Sequence, residues 1–140
     1  MESLDVEKIR RVANEARARF EAGDIPDALL SQLYEQYCPG INADEFVAAA
    51  KRLFPIGNCG LASLYIQSQL RSGEVTYSSY AGKGHTIWHV GSRIIADITS
   101  DQYGGPRVYV GPFVEPWVLP FNPVVKQQHV LANLLDSRKL

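Results

Sequence analysis

The sequence predicts an α+β domain in which N-terminal helices pack on a small antiparallel β-sheet. Apolar residues recur at spacings of three and four through the first half of the chain, whereas β-branched and aromatic residues alternate with polar ones in the second half. Helices followed by strands are typical of α+β folds. We therefore expect one domain over residues 1–140, helical over 1–72, β-rich over 73–123 and ending in a short helix over 124–136.

Four helices follow from the apolar spacing and from the residues that start and stop helices. Gly23 is placed to end the first helix, and Pro26 stands near the first position of the second. Asn42 and Glu45 resemble a capping box at the start of the third. The fourth begins at Cys59, where a loop that contains glycine becomes apolar. The predicted spans are about 6–22, 26–37, 43–53 and 59–71.

Short strands joined by turns are predicted beyond residue 73, at about 75–80, 86–90, 93–99 and 107–110. The pair Gly91-Ser92 fits a two-residue type II′ hairpin, which places glycine first. Prolines at 112, 116, 120 and 123 then exclude long regular elements. Eight apolar residues are expected to be largely buried: Phe46, Leu53, Leu61, Leu64, Tyr65, Ile87, Ile95 and Ile98.

The net charge, the apolar runs and the cysteine count argue against several classes of function. Fourteen Lys and Arg oppose fifteen Asp and Glu, for a formal net charge of −1, so we expect no nucleic-acid partner. No apolar run approaches the roughly 20 residues of a membrane span, and the charged N-terminus lacks the apolar core of a signal peptide. We expect a cytoplasmic protein with no membrane partner. Two cysteines, Cys38 and Cys59, are too few for a disulfide scaffold, and we expect no bond between them.

Three residues form a candidate thiol active site: Cys59 at a helix start, His85 on a strand and Asp97 on the next strand. A helix N-terminus and a neighbouring imidazolium both favour the thiolate. A carboxylate on the far ring nitrogen fixes the imidazole tautomer. Each residue also has an ordinary structural interpretation, because a lone cysteine is usually a buried small hydrophobe and Asp97 could pair with Arg93 or Arg107. Their order along the chain favours a Cys-His-Asp triad.

Two segments carry a resemblance to known enzymes. The sequence GNCGLAS at 57–63 is similar to a cysteine-helix motif, and HTIWHV at 85–90 with RIIADITSDQY at 93–103 is similar to a histidine strand and an aspartate strand. Together they resemble the papain-like and transglutaminase-like thiol enzymes, in particular bacterial members. The resemblance implies a papain/transglutaminase-like core and a catalytic Cys59, His85 and Asp97 that act on amide or ester bonds through a thioester.

The resemblance implies a cysteine hydrolase, either a protease or a glutamine deamidase, with a protein or peptide substrate and no cofactor or metal. Two alternatives stay open: a transglutaminase-like acyl transferase and a catalytically inactive protein-interaction module. Small bacterial members are often effectors or toxins, which implies delivery to another cell and an immunity or inhibitor protein as partner. A zinc site on His85 and His89 is disfavoured, because four residues along a strand separate the imidazoles by roughly 13 Å.

The oxyanion hole departs from the family pattern. Leu53 stands six positions before Cys59, where papain-like enzymes have a glutamine. We expect the backbone N–H of Cys59 to be the first donor and Asn58 the second, with Gly57 in support. Gln102 is expected to hold the end of its strand rather than to take part in the chemistry.

The histidine strand also departs from the pattern, because His85 lies three residues before Trp88 instead of two. In a regular two-residue hairpin, Thr86 opposes Asp97 and His85 faces the other side of the sheet. A β-bulge between His85 and Trp88 would restore the pair. A longer loop that pairs His89 with the residue at position 93 would do the same. His89 itself is our second choice for the base.

Overall fold

The fold is α+β, as predicted, in a computed structural model that describes residues 5–40 and 42–118. Four helices precede a five-stranded antiparallel sheet of order β4-β3-β2-β1-β5. No helix in the described ranges is long and apolar enough to cross a membrane. The helix expected over 124–136 lies outside the described residues. The elements are α1 (Val6–Ala22), α2 (Asp27–Tyr37), α3 (Ala43–Leu53), α4 (Cys59–Leu70), β1 (Glu74–Tyr80), β2 (Lys83–Val90), β3 (Ile94–Asp97), a 3-10 helix (Ser100–Tyr103), β4 (Tyr109–Pro112) and β5 (Trp117–Val118).

Capping residues explain why the first helices begin and end at the predicted positions. The Asp5 carboxylate accepts a backbone N–H of the first turn of α1 at 2.7 Å, and Gly23 ends that helix with a φ of 67°. At the start of α3, the Asn42 side chain accepts the N–H of Glu45 at 3.1 Å. Pro26 is the N-cap of α2, so it precedes the helix instead of opening it.

The central element is α4, in which nine of twelve residues are buried. It contacts α1, α2 and the strands β1, β2 and β3, which fix its N-terminus from several sides. Its C-cap is Arg71, which has a φ of 54°, close to the predicted end of the helix. Gly73 lies two residues further on, with a φ of 88°, and the Trp88 indole occupies the space that a Cβ would need there.

Two apolar clusters hold the fold together. The larger one joins the four helices to the sheet and includes Tyr34, Leu61 and Trp88. The smaller one contains Tyr80, Ile87, Ile95 and Trp117. Seven of the eight residues expected in the core are buried; the exception is Leu53, which is half-exposed because it is the last residue of α3.

The β2–β3 hairpin differs from both predicted registers. The ladder between β1 and β2 is regular from Lys83 to the end of β2, so the expected bulge between His85 and Trp88 is absent from it. The longer-loop alternative is also wrong, because His89 pairs with Ile95 and not with the residue at position 93.

The extra residue is Arg93, on the other side of the turn. Gly91 and Ser92 both have positive φ, 60° and 54°, which is the pattern of a type I′ turn and not of the expected type II′. Val90 then pairs with Ile94, and Arg93 is left out of the β2–β3 ladder.

This register places the histidine and the aspartate on one face of the sheet. Trp88 pairs with Ala96, and continuing the ladder sets Ile87 opposite Asp97. His85 is two residues from Ile87 and therefore shares its face, as a diagonal neighbour of Asp97. Arg93, the unpaired residue before β3, therefore brings His85 and Asp97 to the same face of the sheet, as the triad requires.

Candidate active site

Cys59 is the first residue of α4, and the turn before it is firmly held. Gly57 has a φ of 73°, which lets the chain reverse into the helix. Asn58 is 1% exposed, and all of its N–H groups are engaged with the backbone. Its amide donates to the carbonyls of Ala50 at 2.9 Å and Ile56 at 3.0 Å, and its backbone N–H donates to Pro55 at 3.2 Å. Asn58 therefore supports the turn, and in this arrangement its N–H groups are all bonded to backbone carbonyls.

His85 and Asp97 are joined by a hydrogen bond of 2.6 Å between Nε2 and Oδ2. Both side chains are buried, and the carboxylate is fixed at its two oxygens. Oδ1 accepts the backbone N–H of Thr99 at 2.9 Å, and Oδ2 accepts the indole N–H of Trp117 at 2.8 Å. A carboxylate held in this way can orient the imidazole.

The Cys59 thiol interacts with the same imidazole, which lowers the pKa of the thiol, and the thiol in turn helps to raise the pKa of His85. Nε2 of His85 is bonded to Asp97, and the buried Nδ1 has no hydrogen-bond partner among the described residues, so Nδ1 is the ring nitrogen available to the sulfur. The backbone of Thr86 also lowers the pKa of the thiol. The three residues singled out in the sequence thus meet in the order cysteine, histidine, aspartate.

The charges of this cluster favour a thiolate–imidazolium pair. Burial opposes ionisation of the Cys59 thiol, but the hydrogen bond and charge of His85 outweigh it, so the pKa lies below its ordinary value. Burial also disfavours the imidazolium, but the charge and hydrogen bond of Asp97, with smaller contributions from Cys59, raise the pKa of His85 to about 10. Burial opposes ionisation of Asp97, but the charge of His85, together with the hydrogen bonds from His85, Trp117 and Thr99, outweighs it and lowers the pKa of the carboxyl.

The cluster is closed to solvent in this structure. Cys59 is 2% exposed and His85 0%. The rings of Tyr80 and Tyr103 lie edge-on to the imidazole, with centroids 6.1 Å and 5.4 Å from it. A substrate therefore reaches the sulfur only after the surrounding side chains move.

The other histidine and cysteine considered in the sequence have different surroundings. The His89 Nε2 lies 3.0 Å from the Thr76 hydroxyl, and its Nδ1 accepts the N–H of Ser92 at 3.3 Å. Cys38 is a free, buried thiol, as is Cys59. Over residues 5–40 and 42–118, no three His, Cys, Asp or Glu side chains are grouped so that they could hold a metal ion.

Two residues near the triad were not recognised from the sequence as parts of the site. Trp117 lies on the two-residue strand β5, in a proline-rich segment where no strand was expected. Gln102 was expected only to hold a strand end, whereas its Oε1 accepts the N–H of Gly57 at 3.2 Å, in the turn before Cys59. Neither placement follows from local spacing, because each depends on how distant segments pack.

Comparison with known proteins identified no similar family, protein or structure. A scan against protein-family models, a search of curated proteins and a search of solved structures each found no match to this chain. The papain-like and transglutaminase-like resemblance stays a prediction, and function is inferred from the geometry of Cys59, His85 and Asp97.

Proposed function

We propose that the protein is a cysteine hydrolase that acts on amide bonds of a protein or peptide, as a protease or as a glutamine deamidase. The observation that carries the proposal is the buried hydrogen bond between His85 and Asp97, together with the electrostatic interaction of the Cys59 thiol with the same imidazole. Burying ionisable groups is unfavourable unless they are paired, and strongly perturbed pKa values cluster at functional sites.

The reaction divides between the three residues. The Cys59 sulfur attacks the carbonyl carbon, a C–S bond forms, and the π pair moves to the carbonyl oxygen. The oxyanion then collapses, the C–N bond breaks, and His85 Nδ1 gives its proton to the leaving nitrogen. Water attacks the thioester, His85 takes a proton from it, and the acid leaves as the thiolate re-forms. Asp97 keeps the imidazole oriented and stabilises its charged form.

The identity of the acyl donor separates the outcomes. A main-chain amide gives proteolysis, and a glutamine side chain gives deamidation. If an amine replaces water in the second half of the reaction, the result is acyl transfer, as in a transglutaminase. Cys59, His85 and Asp97 have the same roles in proteolysis, deamidation and acyl transfer, so the identity of the substrate determines which reaction takes place.

The enclosure of the sulfur favours a second candidate, a non-catalytic interaction module. With Cys59 only 2% exposed, the hydrogen-bonded cluster could serve to stabilise the core. The two candidates differ in one property: a nucleophile must react when the structure opens, and must react as a thiolate near neutral pH.

Alkylation by iodoacetamide, followed by peptide mass spectrometry, tests the proposal within one molecule. Cys38 is the matched control, because it is also buried, at 5% exposed, and burial raises the pKa of its thiol. At about pH 6 we expect Cys59 to be alkylated much faster than Cys38, since thiolate is the reactive form. His85→Ala should abolish this difference. Equal rates at Cys59 and Cys38 would favour the interaction module.

Incubation with a proteome identifies the reaction. New peptide termini that appear with the native protein and not with Cys59→Ala indicate proteolysis. Glutamine converted to glutamate indicates deamidation, and isopeptide-linked peptides indicate acyl transfer. If none of these products depends on Cys59, the hydrolase proposal is wrong.

A further inference from the structure

An unpaired amide lies beside the turn that leads to Cys59. Buried polar atoms in folded proteins nearly always have a hydrogen-bond partner, so each exception needs an explanation. The Nε2 of Gln102 is buried and has no partner among the described residues. It is a strong donor that has been removed from water without an acceptor.

The other end of the Gln102 amide fixes the position of the Nε2 donor. Its Oε1 accepts the N–H of Gly57 at 3.2 Å, two residues before Cys59, and this bond identifies the oxygen and the nitrogen of the amide. The next residue, Tyr103, lies edge-on to His85 with centroids 5.4 Å apart. The amide is thus held against the turn that leads into Cys59.

We propose that Gln102 is a catalytic residue whose Nε2 donates to the oxyanion that forms when Cys59 attacks a carbonyl. This rests on the proposed function. As the C–S bond forms, the π pair of the carbonyl moves to its oxygen, and a donor that is already fixed and desolvated stabilises the new charge without reorganising. Before the reaction no acceptor is present, which accounts for the unpaired Nε2. The backbone N–H of Cys59 is the second donor.

The competing explanation is that Gln102 only anchors the turn through its Oε1. Gln102→Glu separates the two roles, because a carboxylate still accepts the N–H of Gly57 but no longer donates. Gln102→Met removes the donor without adding a buried charge and is the second variant. Gln67→Glu is the matched control: it lies on α4, and its Nε2 donates to the Gly73 carbonyl at 3.1 Å.

Two small reagents distinguish the oxyanion from the thiolate. With 4-nitrophenyl acetate, the sulfur attacks the acetyl carbon through an oxyanion, the C–O bond breaks, and 4-nitrophenolate leaves with the electron pair while the acetyl group stays on Cys59. Iodoacetamide transfers its carbon to the same sulfur as iodide leaves, and no oxyanion forms. The ratio of the two rates at Cys59, each at the pH where it levels off, isolates the donor.

For Gln102→Glu and Gln102→Met we expect acetylation to slow by about 10²–10³-fold, while alkylation changes little. Gln67→Glu should change neither rate, and circular dichroism should show all three variants folded. Unchanged acetylation in the folded Gln102 variants, or an equal fall in both rates, would overturn the oxyanion role. A wild-type Cys59 that reacts with neither reagent faster than Cys38 would instead show that the proposed function itself has failed.

Discussion

Replacement of Asp97 by asparagine should remove much of the charge stabilisation on His85. The pKa of His85 is raised from 6.5 to about 10, against the opposing effect of burial, and Asp97 supplies the two larger of the four interactions that raise it. The other two come from Cys59. Asp97 therefore supplies the main interactions that raise this pKa, and we expect the pKa to fall from about 10 towards its ordinary value of 6.5 in Asp97→Asn. Each pKa unit lost corresponds to about 1.4 kcal/mol of imidazolium stabilisation.

The assay is an NMR titration of the His85 imidazole, with selectively labelled histidine, in wild type and Asp97→Asn. His89 is an internal reference in both proteins, because its ring contacts the Thr76 hydroxyl and the Ser92 N–H. A pKa of His85 that stays near 10 in Asp97→Asn would refute this reasoning.

Asp97→Asn should also change how the free energy of unfolding depends on pH. A raised histidine pKa contributes stability that is fully present below about pH 6.5 and is lost as the pH rises towards about 10. The lowered pKa of Cys59 acts in the opposite direction across much of this range. We therefore compare Cys59→Ala with Cys59→Ala/Asp97→Asn in urea unfolding. The free energy of unfolding should fall with pH in the first and much less in the second. Parallel profiles would contradict the assignment.

Three further substitutions are tested by urea unfolding, and a fourth, Trp88→Phe, is a control for the alkylation of Cys59. Trp117→Phe removes the indole donor of Asp97, which should lower the free energy of unfolding by about 1.5–3 kcal/mol and raise the pKa of that carboxyl. Trp88→Phe also loses an indole hydrogen bond, but to a backbone carbonyl, and should leave the alkylation of Cys59 unchanged. Asn58→Ala leaves two carbonyls without donors and should cost about 2–4 kcal/mol; a loss below about 1 kcal/mol would contradict its supporting role. Gly73→Ala combines a strained φ with a clash and should cost more than about 1 kcal/mol, unless the Trp88 indole moves away.

The helices and the triad could be predicted because their determinants are local. Helix starts are encoded in capping residues such as Asn42, whose side chain closes the first turn of α3 as expected. Cys59 stands at a helix start because a glycine-containing turn precedes an apolar run, and the assignment of α4 needs only that segment. The bond between His85 and Asp97 was expected from two neighbouring strands together with one extra residue in the hairpin.

The hairpin register could not be predicted, because one residue changes every pairing. The glycine-first turn suggested type II′, but Ser92 also adopts positive φ, and Arg93 is excluded from the β2–β3 ladder. The sequence reasoning was right that His85 needs one extra residue to share a face with Asp97. It placed that residue in the wrong strand, since face alternation depends on the number of inserted residues and not on their position.

The supports of the triad were missed for a related reason: they come from segments that meet it only in the folded chain. Trp117 reaches Asp97 because β5 pairs with the far edge of β1, and its ring is stacked on Tyr109 at 4.2 Å. This tryptophan donates to the same Oδ2 that holds His85, so β5 contributes to the electrostatics of a site whose three triad residues precede it by 20 residues or more. The charge of His85 contributes most to the ionisation of the buried Asp97 carboxylate, and the indole donor adds to it. The stability of the β5 edge and the charge state of the triad should therefore change together.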